Sequence, residues 1–398
     1  MMRSAKKFLV AAACMFGLLS PVPLRAGSEG AAADRDSSAV AAGNGKAAAW
    51  LQSYWHSLIY GNVDRTFEKP VDLSFAIAPS YSREGSVGIG GTATALYRLD
   101  RSDSLMQASD VSLTGNVSVK GFYTLMVKGN NNFKGNRSRL NYRLAFKRKN
   151  LDFWGVSYAG CTVNPVSSYT RQQLSLESDY SYKILGGLYL GAALRINYTE
   201  ALNLGDLSYL EGQDASYYFT GIGLSLMYDT RDLIVNPKKG VYFLLREIFY
   251  PEFLSSYGRT VFNTTLIFDA YQPLWRGSVL ALDIYGDFNS RNAPWTLRPE
   301  MGSDGSRMRG YYSGRYIDCC LASVQLELRQ HIYGRLGCAA WAGAGASFSS
   351  PSDFKVDSIL PNFGIGLRFE FKHNMNIRID YGFGKGTSGL VAQFSEAF

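Results

Sequence analysis

Apolar and polar residues alternate with a period of two along most of the chain, from about Asp72 to Phe398. The alternating runs are roughly ten residues long, and Gly, Asn, Asp, Ser and Lys separate them, as expected for strands joined by turns. Clear runs lie at 86–98, 214–229, 320–331 and 361–372. We count 17 runs, whereas single-chain bacterial barrels close with an even number of strands. The pattern therefore predicts 16 strands, and the run at 152–160 (DFWGVSYAG) is the one expected not to be a strand.

The two faces of the predicted strands differ in polarity. In the run at 361–372, one face carries Phe363, Ile365, Leu367, Phe369 and Phe371, and the other carries Gly366, Arg368, Glu370 and Lys372. A soluble sandwich would bury the apolar face and leave the charged face in water, so the alternation is compatible with that fold as well. The number of strands and the lack of a second domain favour an all-β, transmembrane antiparallel barrel with lipid outside and charge inside.

The first seven residues contain three basic side chains and precede an apolar run from Phe8 to Leu24. With the small residue Ala26 as a cleavage position, this predicts a signal peptide over residues 1–26. The apolar run continues well past Cys14, which disfavours lipid attachment there. Removing the signal takes away four basic residues and no acid, so the formal charge falls from +8 to +4. A mature chain this mildly basic gives little support to nucleic-acid binding.

Residues 27–71 are predicted to hold a linker and a short amphipathic helix. The linker, residues 27–45, is rich in Ala, Gly, Ser and Asp. From Lys46 to Tyr60, pairs of apolar residues recur every four positions, which gives a helix one apolar stripe. Such a helix could pack on the barrel or lie on a membrane surface, and the pattern leaves both open. The barrel itself is predicted over residues 72–398.

Composition supports strands and offers little catalytic chemistry. Aromatics make up 14% of the 398 residues, with 41 Gly and only 12 Pro, a mixture that favours sheet. No stretch of the mature chain reaches the roughly 18 apolar residues of a spanning helix, so a membrane form must be a closed barrel. The mature chain has only His56, His331 and His373, and its cysteines lack zinc-ligand spacing. We therefore expect no enzyme activity, no metal and no cofactor.

Four stretches resemble the barrel of the BamA/TamA superfamily of outer-membrane proteins, the bacterial surface antigen type. They are 221–243 (GIGLSLMYDTRDLIVNPKKGVYF), the element 308–311 (MRGY), 364–384 (GIGLRFEFKHNMNIRIDYGFG) and the C-terminal strand 389–398 (GLVAQFSEAF). The first contains a strand-turn motif formed by Asp229, Arg231, Asp232, Pro237 and Gly240. The last resembles the C-terminal sorting signal of outer-membrane barrels, with Phe394 and Phe398 as its aromatic residues.

In two departures from the family pattern, the chain resembles a compact branch of the family without POTRA domains. The roughly 45 residues between the signal and Asp72 are too few for a periplasmic POTRA domain of the kind that other members carry. Gly343 stands where many relatives have an aspartate, within a Trp-x-Gly-Ala-Gly pattern that begins at Trp341.

The element Arg309-Gly310-Tyr311 lies in a loop long enough to fold back into the barrel lumen. An arginine away from bulk water requires an acidic partner. The candidates on the charged face are Asp380, Glu370 and Glu327. We expect a bidentate contact between Arg309 and one of them, with Asp380 or Glu370 ranked first.

The hairpin that follows the run 361–372 has two registers that keep its charged face inward. One places Arg368 opposite Arg378, and the other pairs Arg368 with Asp380 and Glu370 with Arg378. Because like charges directly opposite are unfavourable, the second register is predicted.

The resemblance implies an outer-membrane protein of a Gram-negative bacterium that functions in membrane biogenesis, in protein or lipid insertion, or in translocation. Its expected partners are outer-membrane lipid and either client outer-membrane proteins or a separate periplasmic protein. A passive, porin-like solute channel is the alternative.

Overall fold

The computed structural model describes residues 53, 66–82, 86–103, 106–234, 236–302, 305–372, 375–394 and 396–398. The signal peptide, the linker and all of the predicted N-terminal helix except Ser53 lie outside these residues and stay predictions. Within the described part, no helix has the length and apolar content needed to cross a membrane.

In the part of the chain that the structure describes, sixteen antiparallel strands form one sheet, and each strand pairs with its neighbours in sequence. This confirms the predicted strand number and fold class. The strands are β1 (Val71–Ser82), β2 (Ser86–Tyr97), β3 (Ser109–Ser118), β4 (Tyr123–Asn132), β5 (Ser138–Phe153), β6 (Ser167–Leu185), β7 (Leu188–Leu202), β8 (Ser216–Asp229), β9 (Gly240–Tyr250), β10 (Val261–Pro273), β11 (Ser278–Asn289), β12 (Cys320–Tyr333), β13 (Leu336–Phe348), β14 (Leu360–Lys372), β15 (Met375–Gly384) and β16 (Thr387–Phe394). Parts of β1 and β16 approach within 8 Å between Cα atoms, but no ladder of hydrogen bonds joins them in the described residues.

The run at 152–160 is not a strand, as the even strand number required. β5 ends at Phe153, and the short helix α1 (Tyr158–Val163) follows. The side chain of Ser157 caps this helix by accepting a hydrogen bond from Gly160 N, at 3.2 Å. Single 3₁₀ turns occupy Lys134–Asn136, Leu207–Leu210, Glu252–Leu254, Pro351–Asp353 and Val356–Ser358.

The apolar face of the strands points outward, and the polar face points into the lumen. On β12, Leu326 is 46% exposed, whereas Glu327 is fully buried. On β14, Ile365 is 62% exposed, whereas Arg368 is 4% exposed. A soluble sandwich would have the opposite arrangement. Outward apolar residues and inward charges are the arrangement of a membrane barrel.

The predicted register of the β14–β15 hairpin is wrong. Arg368 lies opposite Arg378, and Glu370 lies opposite Asn376. The arginines tolerate this position because Asp380 bridges them, with its Oδ1 2.5 Å from Arg368 Nη1 and its Oδ2 2.8 Å from Arg378 Nη1. Asp380 itself lies opposite Gly366, where an added Cβ would stand only 1.9 Å from the carboxylate oxygen. The missing side chain therefore gives Asp380 the space to serve both arginines.

Long connections gather at one end of the sheet, at 154–166, 203–215, 251–260, 290–319 and 349–359. Several of them pack together through buried apolar residues, among them Val156, Leu210, Trp295 and Ile317. Trp295 also donates from Nε1 to the carbonyl of Asp214, at 2.9 Å. The connections thus build an aromatic-rich core, here called the plug, on the inner side of the strands.

Candidate functional site in the barrel lumen

The tip of the connection 290–319 is held against the inner wall formed by the last strands. Arg309 is 1% exposed, which is exceptional for so large a cation. Its Nη1 lies 2.8 Å from Asp380 Oδ2 on β15, and its Nη2 lies 2.6 Å from Glu327 Oε2 on β12. The guanidinium also stacks on Trp341 of β13, 3.6 Å from the ring centroid. We call Arg309, Glu327, Trp341 and Asp380 the arginine clamp.

Three further arginines extend the arginine clamp along the wall. Arg368 contacts Asp380 and also Glu396 Oε2, the latter at 2.8 Å from its Nε. Arg329 donates from Nε to Glu327 Oε1, at 2.8 Å, and Arg378 contacts Asp380. Four arginines and three carboxylates are therefore in contact, and none of these seven side chains is more than 8% exposed. Desolvation at such a site is costly, so each charge depends on the presence of the others.

Gly310 and Tyr311 complete the attachment of the loop tip. Gly310 has a φ of 103°, and a Cβ there would lie 2.4 Å from the carbonyl oxygen of Gly382 on β15. Only glycine combines this left-handed backbone with so close an approach. Tyr311 donates its hydroxyl to the carbonyl of Pro361, at 2.7 Å, and accepts from the backbone N–H of Lys385, at 2.8 Å. The tip thus contacts β12, β13, β14 and β15 together.

The structure changes two parts of the expectation for Arg309. Glu370 is not one of its two carboxylate partners. The backbone of Arg309 lies against Gly382, which is opposite Gly364, and Glu370 is six residues from Gly364 along β14. Six strand residues span about 20 Å, which is beyond the reach of the side chain. The contact is also not bidentate on a single acid, since the two terminal nitrogens bind different carboxylates.

Sequence reasoning missed several residues of this region. Arg307 holds a second point of the loop, with its Nε and Nη2 2.9 Å and 2.6 Å from the two oxygens of Asp283 on β11. The family pattern includes Trp341 but does not predict its stacking under Arg309. The available signal was the inward parity of Trp341, which lies directly opposite Glu327.

The strand-turn motif lies at the ten-residue connection between β8 and β9. Asp229 accepts from Arg231 Nε at 3.0 Å and from Nη2 at 3.1 Å. Asp232 accepts from the backbone N–H groups of Lys238 and Lys239, at 2.9 Å and 3.3 Å. Burial raises the pKa of Asp232, but these and other backbone donors outweigh it, so the pKa is lowered overall.

The last two motif residues lie where β9 begins. Pro237 is buried in the turn, and Gly240 starts the strand with a φ of 107°. Within the described part of the chain, no three acidic, histidine or cysteine side chains lie close enough to hold a metal ion.

The C-terminal residues differ from the expected uninterrupted strand. β16 ends at Phe394, and Glu396 turns inward, with 7% exposure. Phe398 lies inside as well, where Arg329 donates to its carbonyl oxygen at 2.8 Å and faces its ring at 5.3 Å. The ion pairs of Glu396 with Arg368 and Arg329 explain why Glu396 faces inward and breaks the alternation. A sorting role for Phe394 and Phe398 stays a prediction.

Several solved structures have the same fold, although no protein-family model and no curated protein matches the sequence. BamA from Haemophilus ducreyi lacking POTRA domains 1–3 aligns with a TM-score of 0.53 at 11% identity, over 81% of this chain and 69% of that one. CdiB from Acinetobacter baumannii gives 0.53 at 10% identity, over 82% and 60%. CdiB from Escherichia coli gives 0.53 at 11% identity, over 82% and 63%.

The chain has the fold of the BamA/TamA-type outer-membrane barrels. It spans less than two thirds of the length of either CdiB structure. At identities near 11%, the likeness concerns the fold and not the activity.

Proposed function

We propose that the protein is a non-enzymatic outer-membrane barrel of a Gram-negative bacterium that takes part in outer-membrane biogenesis, by inserting or translocating proteins or lipids. The observation that carries this proposal is the arginine clamp, which fixes a long loop inside the lumen. Its partners are outer-membrane lipid and client outer-membrane proteins or a separate periplasmic protein.

The orientation in the membrane follows from the connections. Bacterial barrels have short turns on the periplasmic side and longer loops outside. At one end, the connections after β6, β12 and β14 are two residues each and the longest, after β2, has 11 residues. At the other end, the connections after β5, β7 and β11 have 13, 13 and 30 residues. The plug then faces the cell exterior, and the loop carrying Arg309 enters the lumen from outside.

A passive channel is the second candidate, because the lumen is lined with charged residues that could select solutes. The plug argues against it. Trp295, Met308 and Tyr316 are buried in the apolar core at the long-loop end, where an open pore would expose polar side chains to water. Charge lining alone therefore does not favour free passage.

Site-specific photo-crosslinking in living cells tests the proposal. One crosslinker replaces Leu73 on β1, which is 63% exposed and belongs to the edge strand beside β16. The matched control replaces Leu224 on β8, which is 73% exposed on the strand seven positions away in the sheet. We expect outer-membrane proteins or lipids in transit to be captured at position 73 and not at position 224.

A second measurement separates the proposal from the channel. The wild-type protein is placed in planar bilayers and its conductance is recorded, with a variant lacking part of the connection 290–319 as reference. We expect low conductance in the wild type and a rise in the variant. A steady open-channel current in the wild type, together with equal capture at positions 73 and 224, would favour the passive channel.

A further inference from the structure

A cavity of about 670 Å³ opens in the lumen beside strands between β5 and β11 and the connection 290–319, and no residue of the arginine clamp lines it. Eight basic and three acidic residues line it. Six of the basic residues lie on the strands: Arg143, Lys147, Lys149, Arg171, Arg195 and Arg246. We call the cavity that they line the basic cavity. Unlike the arginine clamp, this surface has many more cations than carboxylates.

Some of the cations have acidic partners. Arg143 lies 2.6 Å from Glu177, and Arg195 lies 2.8 Å from Asp179. Arg246 shares Asp179 at 3.5 Å, and its buried Nε has no hydrogen-bond partner. Asp179 and Asp283 do not line the cavity but pair with arginines that do. When they are added to the three lining acids, eight cations are present against five acids.

The excess of positive charge is concentrated where β5 pairs with β6. Lys147 forms no ion pair with any described residue and lies opposite the neutral Gln173. Two residues farther along, Lys149 lies directly opposite Arg171. Like charges at opposite positions destabilise a sheet unless something compensates for them. Arg171 reaches Glu300 of the long loop, and Glu177, the acid that acts on Lys147, is already paired with Arg143. Lys147 therefore has no acid of its own.

We infer that the basic cavity binds an anionic ligand that carries a phosphate group. A phosphate offers several acceptor oxygens and about two negative charges, which suit the ammonium of Lys147 and the excess of cations around it. The volume suits one such group with a small attached moiety, since ligand sites measure roughly 300–1,000 Å³. This inference goes beyond the proposed function and does not depend on it.

Calorimetric titration of the purified full-length protein in detergent, with sodium pyrophosphate as the probe, tests the inference. We expect binding to the wild type and about tenfold weaker binding to Lys147→Gln, the loss expected for one charge-assisted hydrogen bond. Gln173→Glu should weaken binding as well, because it gives Lys147 an acid directly across the strand pair. Lys355→Gln, which removes an exposed charge on the connection between β13 and β14, should bind like the wild type.

Gln173→Glu keeps every cation in place and adds an opposite-charge pair, so its loss of affinity would not result from misfolding. Wild-type affinity in both Lys147→Gln and Gln173→Glu would overturn the inference. A wild type that binds neither pyrophosphate nor a phosphate lipid would overturn it too. The crosslinking result does not affect either outcome.

The source of the phosphate is resolved by competition. Short-chain phosphatidic acid and inorganic phosphate are each added to the pyrophosphate complex, with short-chain phosphatidylcholine as a control. Displacement by phosphatidic acid at lower concentration than by inorganic phosphate indicates a lipid headgroup. The reverse order indicates a soluble phosphate compound, and either order supports an anion site.

Discussion

The arginine clamp and the basic cavity share one lumen and the same residue types, but they handle charge in opposite ways. The clamp and the side chains that extend it contain four arginines and three carboxylates, and none of these side chains is more than 8% exposed. At the cavity, exposure varies: Arg143 and its partner Glu177 are 45% and 33% exposed, whereas Arg171 and Arg195 are 16% and 10% exposed and each has an acidic partner. Dry charges must be matched by near neighbours, whereas wet charges can stay unmatched because water solvates them.

This difference assigns different tasks to the two regions. The arginine clamp has little capacity to bind anything else, since its carboxylates are already shared among several arginines. It therefore fixes structure. The basic cavity keeps an unmatched lysine facing open space, so it is the region of the lumen suited to a ligand.

The largest effect is expected from Asp380→Asn. The substitution leaves four buried arginines against two carboxylates, and an uncompensated buried charge costs about 3–5 kcal/mol. We expect a marked drop in the urea midpoint of unfolding, read from the gel mobility of unheated samples. Asp353→Asn, which affects a pair whose members are 39% and 70% exposed, is the control and should change stability by less than about 1 kcal/mol. Similar losses in both variants would contradict the contrast between dry and wet charges.

A smaller effect is expected from changes at Arg309. Arg309→Ala leaves three arginines for three carboxylates, so the loss is nearer about 1–3 kcal/mol, the range for a hydrogen bond to a charged group. Arg309→Lys keeps the charge but lacks the planar fork that spans Glu327 and Asp380. Limited proteolysis of the assembled barrel should cut the connection 290–319 fastest in the alanine variant and at an intermediate rate in the lysine variant. If all three proteins protect the loop equally, Arg309 does not tether it.

The smallest effect is expected in the basic cavity. Arg143→Gln breaks the ion pair with Glu177, which is partly exposed to lumen water, so stability should change by less than about 1 kcal/mol. Even this change should vanish at 1 M salt, where the Debye length is about 3 Å. The unfolding midpoint measured at low and high salt checks this. A large loss that persists at 1 M salt would mean that the cavity is as dry as the clamp.

The sequence revealed the fold because period-two alternation is a local property. A single strand such as 361–372 already separates Ile365 from Arg368, and burial follows that separation. Glu327 and Asp380 were also predictable from the sequence as partners of Arg309, because few acidic residues lie at the inward positions of the strands.

Register and charge sharing could not be read in the same way. The rule against opposing like charges considers two residues, whereas Arg368 and Arg378 are stabilised by a third, Asp380, which fits only because Gly366 has no side chain. The inward turn of Glu396 likewise depends on Arg368, which is distant in sequence. Contacts that involve three or more strands at once are where pairwise rules fail.

The length of β5 and β6 has a consequence at the cell surface. Their outward residues are mostly apolar up to the pair Phe146 and Leu174, and polar beyond it, where Arg148 faces Gln172 and Asp152 faces Ser168. A strand of 19 residues such as β6 measures about 63 Å, against an apolar band about 25 Å tall. The two strands therefore rise from the bilayer as a ribbon on the long-loop side. In the orientation proposed above, that ribbon would be an epitope on intact cells, accessible to antibodies that never reach the lumen.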